Sequence, residues 1–472
     1  MSDNSLEFDF AVIGGGSAGY AAARTAVGHG LKTVVIDGAE PLGGLCILRG
    51  CMPSKTLIES ANRNLTIRRA AEFGLRAEQK PADIVAIRDR KRRLIADFAG
   101  YRQGQLHDGR FTLLRGTATF TDSHSLLVSL RDGGQQTIQF RAACIATGSV
   151  VNVPPMPGLR EAGFWTSDDI LDADDLPLSF IVLGGGAIAL EMAHYLDGMG
   201  RKVTLIQRSD GLLGTMDAEC GAAVAKAFRE RGIDVYCGTS VQKVEAVEGA
   251  KQITFDHGGR SVRLQADQIL VATGRAPGID DLGLEAASIG VLGRKIAVNK
   301  EMQTSHPHIF AAGDVCSPLD IVHIAIQQGE IAAHNAAALL RGELPAQKMD
   351  YRLALFGVFC EPQAAMVGAT EAQLRRDGIP YSTASYPFDD HGKSMVMGEL
   401  EGFVKLIAHR ETGEILGASV VGPHATELIH EVVVAMQFRC TVKQFMAIPH
   451  YHPTLSEIWT YPAEELADEL GL

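Results

Sequence analysis

The first clear pattern in the chain is a short apolar run, Phe8-Asp9-Phe10-Ala11-Val12-Ile13, which stops at Gly14-Gly15-Gly16-Ser17-Ala18-Gly19. An alanine-rich stretch follows and leads to a second apolar run, Thr33-Val34-Val35-Ile36, closed by Asp37. This order predicts strand, glycine turn, helix, strand, acid. It returns at Phe180 to Leu183, Gly184-Gly185-Gly186-Ala187-Ile188-Ala189, a helix containing Glu191, and the run Lys202 to Arg208. Cys144 to Ser149 and Ile269 to Arg275 read as buried strands ending in small-residue turns, one closing each unit. His308 to Val315 reads as a further strand, leading to Asp314. From about residue 349 the pattern changes to strands such as Gly402 to Ile407 and amphipathic helices such as Glu427 to Phe438, which predicts a separate α+β domain.

Each repeated unit has the chemistry of a dinucleotide site. Gly14 allows the tight turn, Gly16 lets the backbone approach a pyrophosphate, and Gly19 lets helix and strand pack closely, while the helix N-terminus offers N–H groups to phosphate. Gly184, Gly186 and Ala189 hold the same places in the second unit. Asp37 can accept hydrogen bonds from a ribose 2′-hydroxyl, whereas neutral Gln207 beside cationic Arg208 would attract a 2′-phosphate. The first site is therefore expected to take FAD. The second is expected to take NADP(H) or NAD(H), with NADP(H) slightly favoured. Thr147 and Gly148 in the first small-residue turn, Gly274 in the second, and Asp314 are further candidate cofactor contacts.

Composition narrows the class. The chain has 472 residues, 46% of them apolar, which suffices for roughly three domains with their own cores. No stretch approaches the ~20 unbroken apolar residues of a membrane span, and the start Met-Ser-Asp-Asn-Ser-Leu-Glu has neither a basic nor an apolar signal character. A cytoplasmic enzyme is expected, with no membrane and no nucleic-acid partner, the latter because the formal charge is −12. One basic cluster, Arg88, Arg90, Lys91, Arg92 and Arg93, interrupts that balance. It reads as a solvated helix face, or as a gate for an anionic substrate.

The candidate chemistry lies at Gly43-Gly44-Leu45-Cys46-Ile47-Leu48-Arg49-Gly50-Cys51-Met52-Pro53-Ser54-Lys55. Cys46 and Cys51 can meet only if the backbone is locally distorted, which Gly43, Gly44 and Gly50 permit. A redox-active disulfide, a surface disulfide and half of a zinc site are all readings of such a pair. Zinc would need a second Cys/His pair at short spacing, which the sequence lacks, so no metal is expected. Eight cysteines scattered over a chain in a reducing compartment do not make a disulfide framework. Near the other end, His452 and Glu457 form a candidate base and its orienting carboxylate, suited to the proton that thiol–disulfide exchange must move.

Along nearly its whole length the sequence resembles the flavin disulfide reductases, the group that contains dihydrolipoamide dehydrogenase, glutathione reductase and mercuric reductase. The resemblance is carried by both glycine units, the Cys46 to Lys55 motif, both Ala-Thr-Gly turns, Ala312-Gly313-Asp314, and His450-Tyr451-His452-Pro453-Thr454-Leu455-Ser456-Glu457. The last segment, Pro53-Ser54-Lys55 and Phe388 to Gly398 are most similar to dihydrolipoamide dehydrogenase. The resemblance implies an α/β fold of two Rossmann-like dinucleotide-binding domains, the second inserted in the first, plus a C-terminal α+β dimerisation domain. The boundaries expected are 1–150 with 280–348 for FAD, 151–279 for NAD(P), and 349–472 for the interface domain.

The resemblance also implies roles. Cys46 would attack the substrate disulfide, Cys51 would sit against the flavin as charge-transfer thiolate, and Lys55 with Glu191 would form the pair beside flavin N5. His452 and Glu457 would serve the neighbouring subunit of a homodimer. The substrate expected first is a lipoamide-like dithiol or disulfide, small or protein-bound. The alternatives are another acceptor, namely a glutathione-type disulfide, a quinone or a metal ion, and an interaction subunit without turnover. Ser17 and Arg24 match positions that touch substrate in glutathione reductases, and His450 is expected to be structural. Several positions depart from the family pattern. Ala187 replaces a tyrosine of glutathione reductases, Arg49 lies between the cysteines, Gln207-Arg208 is unlike a NAD-using dihydrolipoamide dehydrogenase, and Trp459 is expected to add bulk at the active-site rim. A missing C-terminal cysteine pair sets the sequence apart from mercuric reductase.

Overall fold

A computed structural model describes residues 5–472. The described residues form two compact units. One comprises residues up to Pro53 with Asp89–Asn152 and Arg275–Asp350; the other comprises Ser54–Arg88, Val153–Gly274 and Tyr351–Leu472.

In the first unit, the strand Leu6–Ile13 pairs in parallel with Thr33–Ile36 on one side and with Gln135–Ile145 on the other. Thr112–Leu114 extends the sheet beyond Thr33–Ile36, and Ile309–Ala311 lies parallel to Gln135–Ile145. Ser125–Leu130 and Gly116–Asp122 continue from Gln135–Ile145 as an antiparallel meander. Thr33–Ile36 and the ends of its neighbours, Phe10–Ile13 and Ala142–Ile145, are unbroken runs of buried residues, because the sheet is covered on both faces there. All the parallel strands end on the same side, where loops at a sheet's carboxyl edge form nucleotide crevices. This register brings Gly14, Asp37, Ala146 to Ser149 and Asp314 to one edge. The strands are shorter than the apolar runs. Cys144 to Ser149 contributes only its first two residues, and His308 to Val315 only Ile309–Ala311.

The second unit contains a five-stranded parallel sheet in the order Asp234–Tyr236, Lys202–Ile206, Ser179–Leu183, Gln268–Val271, Trp165–Thr166. In sequence this sheet falls between Gln135–Ile145 and Ile309–Ala311, so it is an insertion into the first nucleotide fold. A second, wholly antiparallel sheet runs Leu355–Val358, Gln363–Gly368, Ile415–Gly422, Phe403–His409, Tyr381–Pro387. The helices Ala425–Gln437 and Thr460–Leu470 contribute apolar faces to a core that includes Phe388, Leu406, Val420, Ile429, Phe445 and Leu466.

Trp459 belongs to that core, not to a rim. It is fully buried, and its indole N–H donates to the Leu428 carbonyl at 3.2 Å. A side chain of that size stabilises the fold by about 2–3 kcal/mol through burial alone. The basic run also divides. On the helix Ile84–Leu106, Arg90, Arg92 and Arg93 are exposed, but Lys91 is buried.

Lys405 is a buried cation of the second unit. Its ammonium contacts Asp217 Oδ2 at 3.1 Å, Glu371 Oε1 at 2.6 Å, and Glu219. Asp217 is the N-cap of helix Ala218–Glu230, and Glu371 opens helix Glu371–Asp377. The three carboxylates hold the Lys405 pKa above its ordinary value against the opposing effect of burial.

Candidate functional site

The first glycine turn is shaped by two close approaches. Gly14 has φ +101°, and a Cβ there would strike the Ala146 carbonyl oxygen. A Cβ on Gly19 would run into the Gly14 carbonyl oxygen and sit 3.1 Å from Val12 Cγ1. Asp37 then reaches back across the turn. One carboxylate oxygen accepts the Gly15 N–H at 2.7 Å, and the other accepts the Ala39 N–H at 2.7 Å. At Gly16 a Cβ would meet only Gly44 Cα, at 3.9 Å, so the backbone here is open to a ligand.

Around the same edge, Ser149 donates to Asp314 Oδ2 at 2.6 Å and is itself gripped by Arg275 through Oγ at 2.8 Å and its carbonyl at 2.7 Å. Asp314 is thus a side-chain acceptor fixed beside the Ala-Thr-Gly turn. Thr147 Oγ1 is buried there with no hydrogen-bond partner among the described residues, and Gly148 has φ +68° with nothing near its missing Cβ. An orphaned hydroxyl, an open glycine turn and a helix N-terminus at Ser17–Gly28 fit FAD, whose pyrophosphate and ribose hydroxyls need such partners.

Cys46 and Cys51 belong to this unit as well. Cys46 lies in the one-turn helix Leu45–Leu48, Cys51 is the first residue of helix Cys51–Arg68, and both are half-buried. Gly43 (φ +154°) and Gly44 (φ +76°) turn the chain just before Cys46, where a Cβ on Gly44 would lie 2.7 Å from Gly16 Cα, and between the cysteines a Cβ on Gly50 would lie 3.1 Å from Cys46 Cα. The cysteine loop and the first glycine turn are therefore in backbone contact. Arg49 caps the short helix and is exposed. Other thiols are of a different kind, since burial pushes those of Cys144 and Cys220 up to about 12.

In the second unit, Lys55 and Glu191 face each other. Lys55 Nζ is 2.8 Å from each carboxylate oxygen of Glu191. Their meeting is set by two helices, Cys51–Arg68 and Ala187–Gly198. A Cβ on Gly198 would lie 2.5 Å from Ala61 Cβ; Asn64 Nδ2 donates to the Gly198 carbonyl at 2.7 Å, and His194 Nε2 lies 2.7 Å from Asn62 Oδ1. Phe359, which the sequence did not mark, completes the pair. Its backbone N–H donates to Glu191 Oε1 at 3.1 Å, and its ring lies 4.7 Å from the Lys55 ammonium.

The second glycine turn repeats Gly14 at Gly184, with φ +129° and a blocked Cβ position. Gly186 is open, Ala189 is fully buried, and Gly274 has φ +101° with space around it. Gln207 follows the end of Lys202–Ile206 and lies across the turn, its Cγ and Cδ 2.8 Å from a Cβ position on Gly185. Arg208 is exposed beside it.

His452 Nδ1 lies 3.0 Å from Glu457 Oε2. The histidine side chain is 80% exposed and the carboxylate 13%, so the ring presents its other nitrogen outward from a fixed acceptor. His450 makes a separate pair with Glu431, Nε2 to Oε1 at 2.5 Å, and its Nδ1 lies 2.9 Å from the Ile448 carbonyl. Arg24 is paired with Glu330.

These sites can be set beside known proteins. Residues 8–329 match the family model described as pyridine nucleotide-disulphide oxidoreductase, and 356–463 match its dimerisation domain. The chain is 31% identical over 466 residues to dihydrolipoyl dehydrogenase of Geobacillus stearothermophilus, covering 98% of this chain and 97% of that one. It is also 34% identical over 452 residues to mercuric reductase of Acidithiobacillus ferrooxidans, covering 94% of this chain and 80% of the relative. Among solved structures, the Cu(II) complex of the HOCl-induced flavoprotein disulfide reductase RclA from Escherichia coli superposes with TM-score 0.85 at 27% identity, covering 98% and 99% of the two chains. With two nucleotide turns, a cysteine pair in a glycine-distorted loop and a match across most of its length, the chain belongs to the pyridine nucleotide-disulphide oxidoreductases, enzymes that use FAD and a pyridine nucleotide.

Proposed function

We propose that this enzyme exchanges electrons between a nicotinamide nucleotide and a dithiol/disulfide substrate of lipoamide type, as a cytosolic homodimer. The observation that carries this reading is the His452–Glu457 pair, an exposed imidazole held at 3.0 Å by a half-shielded carboxylate. A disulfide substrate calls for it, because the thiolate that leaves on attack must be protonated beside the cysteine pair, whereas reduction of a metal ion takes up no proton.

In this reading the first unit binds FAD through Gly14, Gly16, Gly19, Asp37, Thr147, Gly148 and Asp314. FAD, when bound, supplies two-electron exchange between the nicotinamide and the cysteine pair. Lys55 would supply positive charge where FAD and the cysteine pair exchange electrons, and Glu191, fixed by Lys55 and the Phe359 N–H, would limit that charge. The reduced pair then acts in two steps. The Cys46 thiolate attacks one sulfur of the substrate disulfide, forming a mixed disulfide, and the departing thiolate takes a proton from protonated His452 of the partner subunit. The Cys51 thiolate attacks Cys46 Sγ, closing the Cys46–Cys51 disulfide and releasing the second substrate sulfur, which takes a proton from water. Glu457 keeps His452 in the tautomer that presents Nε2 to the substrate.

Gly184, Gly186, Ala189 and Gly274 frame the nicotinamide nucleotide, with Gln207 and Arg208 placed for a 2′-phosphate. The fold divides in this reading into residues 1–150 with 280–348 for FAD, 151–279 for NAD(P) and 349–472 for the subunit interface.

The test is a substrate panel on the purified flavoprotein: lipoamide, oxidised glutathione, a quinone and Hg²⁺, each with NADH and NADPH. Lipoamide turnover that collapses in His452→Gln is expected. Turnover of the metal ion or quinone alone, unaffected by that substitution, would overturn the reading.

A further inference from the structure

Glu457 is shared between two histidines. Its Oε2 lies on His452, while its Oε1 stands 3.5 Å from Nε2 of His391. His391 is fully buried at the N-cap of helix Gly392–Met397, and its Nδ1 is 2.8 Å from Oγ of Ser394, which is also fully buried. His391 Nε2 is a buried nitrogen with no hydrogen-bond partner among the described residues, so a small movement of the carboxylate would close its contact. Two tautomers are open to the ring. If Nδ1 carried the proton, a lone pair on Nε2 would face a carboxylate across 3.5 Å, which is repulsive. With the Ser394 hydroxyl donating to Nδ1, Nε2 carries the hydrogen and points it at Glu457. Burial lowers the His391 pKa below the ordinary histidine value, against the upward pull of Glu457 and with a further downward push from His452. The ring is then neutral at neutral pH.

Other groups around the ring are accounted for. Tyr461, on helix Thr460–Leu470, meets it edge-on at 6.3 Å and stacks on Tyr386 of strand Tyr381–Pro387 at 4.1 Å; the Tyr386 hydroxyl donates to Asp390 Oδ2 at 2.9 Å. On the loop bearing His452, His450 is committed to Glu431.

We propose that His391 is a positioning residue. Its Nε2–H restrains one oxygen of Glu457, so that the other stays on His452 Nδ1 and the exposed imidazole keeps its proton affinity and aim. This rests on His452 as the proton carrier in disulfide exchange, but its test does not require turnover. In full-length flavoprotein carrying ¹³C-labelled histidine, the His452 resonance, assigned by its loss in His452→Gln, is titrated by NMR. His391→Leu should lower the His452 midpoint by roughly half a unit, about threefold in the ionisation constant. Glu457→Gln should lower the midpoint in the wild-type background and lower it less in His391→Leu. His391→Gln, whose amide still donates, should restore wild-type behaviour.

An unchanged midpoint in His391→Leu with an undiminished effect of Glu457→Gln would overturn the proposal. If His391→Leu does not fold, Ser394→Ala serves in its place, since it releases the tautomer. A lowered midpoint there supports the proposal, and an unchanged one overturns it. Shifted midpoints in a protein that reduces no disulfide would refute the substrate reading while supporting this one.

Discussion

The two glycine turns have the same outline and different tolerances. In the first, the acid after the second strand accepts one N–H from the turn, at Gly15, and one from Ala39 just beyond itself, and the third glycine is wedged against a carbonyl oxygen. In the second, an alanine occupies the third place and a neutral Gln207 lies across the turn, with a cation free to solvent beside it. In the reading proposed above, the first turn keeps a resident flavin and is acidic at the ribose, and the second releases its nucleotide each cycle and is neutral and cationic there.

Reciprocal substitutions break this comparison most sharply. Gly19→Ala has backbone as its obstacle, so it should cost about 3 kcal/mol or more and yield protein with little flavin, read by the flavin-to-protein absorbance ratio and the thermal midpoint. Asp37→Ala should weaken FAD retention by about 1.5–3 kcal/mol, the scale for a hydrogen bond to a charged group, measured by flavin loss on dilution. Arg208→Ala should raise the KM for NADPH about tenfold, or 1.4 kcal/mol, with the NADH value little changed. Equal losses with both nucleotides would remove the 2′-phosphate assignment. Ala189→Gly, the reverse of the first change, should cost only about 1 kcal/mol of stability, the helix penalty of glycine, and leave flavin content intact.

Much of this is legible in the sequence because it is local. A glycine turn between two apolar runs is specified within thirty-odd residues, and the cysteine loop announces its distortion through Gly43, Gly44 and Gly50. His452 and Glu457 are readable for the same reason, lying on one short loop. What cannot be read is contact across distant segments. His391 approaches Glu457 from the N-cap of helix Gly392–Met397, some sixty residues earlier in the chain, and Phe359 serves Glu191 through a backbone N–H that any residue but proline possesses. Trp459 misleads because it follows the dyad closely in sequence, yet the one-turn helix Ser456–Trp459 turns it inward. Lys91 misleads because a basic run reads as surface, while a helix of 3.6 residues per turn must point some of the six positions from 88 to 93 at its neighbours.

The Lys405 cluster bears on how such enzymes can be recombined. Two of its carboxylates, Asp217 and Glu219, come from the inserted nucleotide fold, and the third, Glu371, comes with Lys405 from the C-terminal stretch. A graft that imported a foreign nucleotide fold lacking those acids would leave a buried ammonium short of counter-charge, and the opposite graft would leave acids crowded together without their cation. A chimera of this chain would therefore have to carry all four residues at once, moving the insertion and the C-terminal stretch together.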